Sequence, residues 1–222
     1  MNQTTDSIRQ RLRTPRAAAI AGIIFSLLFS TSLLLVWVSI PANPLGSATP
    51  VMRHLKMISF SLNLLPFAGI AFLWFMAVVR DRLGEREDRF FATAFFGSGL
   101  LFIAMVFNAA ATAGGIIMVL RTGSENLIQS GAYALGRAQI QQIMHIYAMK
   151  MAAVFMTTTS TIALQTRVFP RWMACLGYAL ALMLLLSVGT IEWIPLVFPL
   201  WVLLISVYIL TEKLHGQSET VA

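Results

Sequence analysis

From Ala17 to Ile40 the chain runs for 24 residues without a charged side chain. A helix rises about 1.5 Å per residue, so about 20 apolar residues cross the roughly 30 Å hydrocarbon core of a bilayer. A signal-peptide core is shorter, and Pro41-Ala42-Asn43-Pro44 offers no small-x-small cleavage site after it. The stretch therefore reads as a retained spanning helix. Five more apolar stretches follow, at about 57–79, 93–120, 143–165, 172–188 and 194–210. With 58% of 222 residues hydrophobic and 11% charged, too few polar side chains exist to coat a soluble core. A bilayer removes that requirement. The expected fold is an all-α polytopic membrane bundle: one domain over 17–211 with six transmembrane helices (the first at about 17–40), a basic lead over 1–16 and a polar tail over 212–222.

Six spans put both termini on one side. Arg9, Arg11, Arg13, Arg16, Arg80, Arg82, Arg86, Arg89, Arg167, Arg171 and Lys213 fall there, eleven basic residues against four, Arg53, Lys56, Arg121 and Arg137, opposite. Basic residues collect at cytoplasmic ends of spans. The N- and C-termini are thus expected to be cytoplasmic, and the protein to be a multi-pass protein of the cell membrane. The same rule accounts for the net charge of +7, and no nucleic-acid motif asks for another explanation.

Individual spans carry further expectations. Pro66 cannot donate to the Leu62 carbonyl, so the second helix should bend there, with Asn63 turned into the bundle. Gly97, Gly99, Ala104, Asn108, Gly114 and Gly115 mark the third helix as the most deeply packed, with Asn108 as an interhelical hydrogen bonder. A short amphipathic piece around Leu135–Ile140 should lie on the membrane surface. The charged run Arg80–Arg89 reads as a solvated connector, Cys175 as a packed thiol, and Pro199 as a bend in the last helix.

The fourth stretch, Ile143 to Gln165, carries most of the polar chemistry within the spans. At about 100° per residue, Tyr147, Lys150, Val154, Thr157, Thr161 and Gln165 share one face. Lipid offers such a stripe no partner, so it must face protein or water. A lysine inside a span costs about 2.5–3.5 kcal/mol on insertion scales. Three readings of Lys150 stay open: its stem snorkels to the surface, it forms a structural ion pair, or it belongs to a binding site. Glu192 is the expected acidic partner, in preference to Glu125. The candidate binding set is then Lys150, Glu192, Asn63, Asn108, Thr157, Thr161 and Tyr147, lining a pocket open to the outside.

No catalytic or metal pattern accompanies this set. His54, His145 and His215 stand far apart with no HExxH, CxxC or carboxylate spacing, and no nucleophile elbow or phosphate loop occurs. No catalytic residue, metal ligand or cofactor is expected, and the reading leans away from an enzyme. The stretch MKMAAVFMTTTSTIALQTRVFPRWMACLGYAL, Met149 to Leu180, resembles segments of uncharacterised bacterial multispanning integral membrane proteins. That resemblance implies a bacterial cytoplasmic membrane and assigns no functional residue. Two function classes remain: a small transporter or channel-like protein using the fourth span, or a non-catalytic accessory or scaffold protein. The expected partners are the lipid bilayer and, left open, a second copy or another membrane protein.

Overall fold

The computed structural model describes residues 2–39, 49–83, 89–122, 130–166, 170–187 and 192–218. Among them there is no strand. The helices are α1 (Asn2–Ser39), α2 (Thr49–Leu83), α3 (Arg89–Arg121), α4 (Gly131–Gln142), α5 (Met149–Thr166), α6 (Arg171–Leu186) and α7 (Val197–Ser218). A π turn, Ile143–Ala148, joins α4 to α5 without a break, and a 3-10 turn, Ile194–Leu196, leads into α7. The described chain is therefore six helical rods. Residues 84–88 of the charged connector, Glu125, 167–169 and 188–191 lie outside the described residues.

Four rods carry stretches long and apolar enough to cross a membrane: Ala17–Ser39, His54–Arg80, Phe90–Arg121 and Ile194–Thr211. These coincide with four of the six expected spans. Arg171–Leu186 is apolar but shorter. The fourth rod differs most from expectation, because the piece around Leu135–Ile140 is not a separate surface helix. It continues through the π turn into α5 and packs along α3, with Gly136 against Ile116. The reason is that the sequence has no proline or glycine between Gly136 and Pro170 to stop the helix.

α1 lies between α2 and α7, α2 packs on α3, α3 runs along the fourth rod, and α5 packs on α6. At the axis the helices interlock through phenylalanines. Phe25 of α1, Phe72 of α2, Phe102 of α3, Phe155 of α5 and Phe198 of α7 are each no more than 1% exposed. Ring centroids are 4.7 Å apart for Phe25–Phe72, 5.2 Å for Phe72–Phe155 and 4.7 Å for Phe102–Phe198. Lipid tails are as apolar as leucine, so cohesion in a membrane rests on such packing rather than on escape from water. Each aromatic pair adds about 0.5–1.5 kcal/mol beyond its buried area. Glycines permit close approach at several contacts: a side chain at Gly22 would collide with Ser206 and Phe75, and one at Gly99 with Met76.

Several expectations change. Only 33% of the α3 span is buried, against 39% for the spans in α1 and α2 and 50% for α7. α5 is the deeply packed helix instead, with Ala152, Ala153, Phe155 and Met156 fully buried. Several of the small residues of α3 meet no neighbour: an added Cβ at Gly97, Gly114 or Gly115 would find nothing within 4 Å, and Ala104 and Ala111 are exposed. Cys175 is exposed on α6 rather than packed. Pro199 falls in the first turn of α7, where no intrahelical donor is needed, so the irregularity appears one turn earlier as the 3-10 segment. Near Pro66, Ser32 of α1 donates to the Ser61 carbonyl at 2.8 Å, one residue before the carbonyl that the proline deprives of its donor.

Candidate functional site

The polar stripe of α5 faces α6. Lys150 Nζ donates to the carbonyl of Leu185 at 2.9 Å, and Thr161 Oγ1 lies 2.7 Å from the Tyr178 hydroxyl. Leu185 is in the last turn of α6, where carbonyls have no helical donor and the helix dipole favours a cation. The ammonium of Lys150 therefore caps α6. That contact gives a partner to a lysine that the sequence left with three readings.

The threonines are held differently. Thr157 donates to Ala153 O at 2.9 Å, Thr159 to Phe155 O at 2.7 Å and Thr161 to Thr157 O at 2.9 Å, while Thr158 lies 2.9 Å from both Val154 O and Phe155 O. A hydroxyl that returns its proton to its own helix needs no foreign partner and can be buried among apolar side chains. Ser160 breaks the pattern. It is 2% exposed with no partner for Oγ, and it sits where a side chain on Gly177 would be. The unpartnered Nε1 of Trp201, from α7, is 3.1 Å from the same Cβ position. α5, α6 and α7 thus meet around one glycine with a hydroxyl and an indole N–H.

The remaining members of the candidate set do not join this stripe. Glu192 Oε2 accepts from Trp37 Nε1 at 2.7 Å and makes no ion pair with Lys150. Tyr147 is 57% exposed. It belongs to the π turn, whose wider winding breaks the α-helical spacing that had placed it in line with Lys150. Asn63 and Asn108 are exposed on α2 and α3, away from α5's contact with α6. Of the seven candidates, the structure brings Lys150 and Thr161 into contact with α6, turns the Thr157 hydroxyl back onto its own helix, and leaves the other four elsewhere.

Sequence reasoning passed over Tyr178, Gly177, Trp201 and Trp37. Three of these had a faint signal, as a polar-tipped aromatic within an apolar run; Gly177 had none. Among the described residues no group of three or more His, Cys, Asp or Glu could hold a metal ion. No protein-family model, curated protein or solved structure matches the chain.

Proposed function

We propose that this chain is a six-span protein of the cell membrane with cytoplasmic termini, acting as a non-catalytic assembly partner for another membrane-embedded helix through the outer face of α3. The observation that carries this reading is the exposed amide of Asn108 near the middle of the Phe90–Arg121 span. A lone amide in hydrocarbon costs about 4–8 kcal/mol by transfer scales, and a partner helix relieves it. Ala104, Ala111 and Gly115 are also exposed, one or two helical turns from it on the same side. This ridge suits close helix–helix approach. Asn63 adds a second outward amide from the neighbouring α2.

Two features support six crossings. The fourth rod is paired with α3 from Gly136 against Ile116 to Phe155 against Phe95, whose centroids are 4.6 Å apart. The C-terminal end of the shorter α6 is tied to the fourth rod by the Lys150 hydrogen bond to the Leu185 carbonyl. Tags at the two termini should both be protected in right-side-out vesicles.

The test of assembly uses Ala111→Cys in a Cys175→Ser background. Oxidation in native membranes should give a specific cross-linked product that Asn108→Leu reduces at least several-fold. A control cysteine at Leu182, exposed on α6, should give little. Equal cross-linking from both positions, or none from either, would end this reading.

Transport along the polar side of α5 is the second reading, favoured by the π turn, a feature frequent at functional sites. It requires ion or solute flux in proteoliposomes that Lys150→Met changes.

A further inference from the structure

Trp37 stands two residues before the end of α1, and Glu192 and Trp193 precede the 3-10 turn of α7. All three are at the end of the bundle opposite the termini. The two indoles are tilted by 54° with centroids 4.3 Å apart, and Trp37 and Trp193 remain 45% and 50% exposed. Trp37 Nε1 donates to Glu192 Oε2, which fixes the carboxylate beside the rings and leaves its other oxygen without a hydrogen bond. The cation nearest in expectation, Lys150, is committed to the Leu185 carbonyl. Glu192 has no cationic partner among the described residues. Residues 40–48 and 188–191, which flank the cluster, contain no Lys, Arg or His in the sequence.

A carboxylate without a counter-ion, hydrogen-bonded at the edge of one of two half-exposed, mutually packed indoles, has the chemistry that recognises an organic ammonium. The rings offer their quadrupole and the carboxylate offers charge. Tryptophans at this level of a membrane protein sit among lipid headgroups. We propose that Trp37, Trp193 and Glu192 form a site for an alkylammonium group, supplied by the headgroup of a zwitterionic phospholipid in the outer leaflet. Binding needs no rearrangement, because the Trp37–Glu192 hydrogen bond already orders the site. A bilayer holds its headgroups at high local concentration, so a weak site of this kind is occupied by lipid before a dilute soluble amine.

The test uses full-length protein labelled with 15N-tryptophan in nanodiscs of phosphatidylglycerol, which has no ammonium. Two arms follow the indole N–H signals, assigned by single Trp→Phe variants. One adds phosphatidylethanolamine to the bilayer, and the other adds soluble choline. The Trp37 and Trp193 signals should shift in the lipid arm while Trp74, Trp172 and Trp201 stay still. Glu192→Gln should weaken the response at least several-fold, and Trp193→Leu should do the same with the carboxylate intact. A response to choline alone would overturn the lipid assignment and make the ligand a soluble ammonium compound. No shift in either arm, or equal shifts in Glu192→Gln, would overturn the site altogether.

Discussion

α3 and α5 lie side by side, and their small and polar residues have opposite fates. α3 is rich in glycine and alanine, yet shows much of that surface to the outside, with the Asn108 amide among it. α5 carries a lysine and five consecutive hydroxyl residues, yet is buried along most of its length. The difference lies in where each polar group can find its hydrogen bond. A threonine hydroxyl reaches a carbonyl one turn back on its own helix, as in Thr159 to Phe155, and so travels into the core with its partner. An amide carries two protons and an acceptor oxygen, and a single bond back to its own helix leaves the rest unmet. It must find another helix, in the same chain or in a second one.

The contrast breaks most visibly when bulk is added. Ala152→Phe forces a ring into a fully buried position on α5, and overpacking of that kind costs about 1–3 kcal/mol and sometimes more. Thermal unfolding in detergent should fall accordingly or the protein should fail to assemble. Ala111→Phe on α3 should leave monomer unfolding unchanged. Equal losses in the two variants would mean that the outward face of α3 is packed within one chain.

The junction of α5, α6 and α7 gives a smaller and sharper result. Gly177→Ala places a methyl group on Ser160 Oγ, and the expected loss is about 1–2 kcal/mol. Adding Ser160→Ala should recover a large part of it, because the second change removes the colliding atom. A double variant as unstable as the sum of the two singles would show that the two residues do not act on each other.

The smallest effect belongs to Lys150. Lys150→Met removes the donor from the end of α6 while keeping an apolar stem, so stability should drop by about 1 kcal/mol. Lys150→Arg should retain much of the interaction if the longer fork reaches Leu185. If Lys150→Met melts with the wild type, the cap contributes nothing measurable.

Much of the framework was legible before any coordinates. Uncharged runs of bilayer length marked the rods from Ala17, Phe90 and Ile194, because a missing charge over about 20 residues is a local property of the chain. The helical facing of Thr157, Thr161 and Lys150 was legible for the same reason. Tyr147 was misplaced because a single π turn changes the phase of everything before it, and no residue pattern announces that turn. The supposed Lys150–Glu192 pair gave way to a partner from another rod for each group, Leu185 for the lysine and Trp37 for the carboxylate, which spacing within one helix cannot report.

The amino-acid sequence by itself determined that this protein is helical and suited to lipid, and that Lys150, Thr157 and Thr161 share one side of the fourth rod. Tertiary structure alone decided which polar side meets protein. Lys150 and Thr161 meet α6, whereas Asn63 and Asn108 remain outward. A hydrophobic pattern distinguishes apolar from polar but cannot distinguish lipid from a neighbouring helix, since both are apolar surroundings. That choice follows from how the phenylalanines interlock at the axis, which depends on all five contributing rods at once.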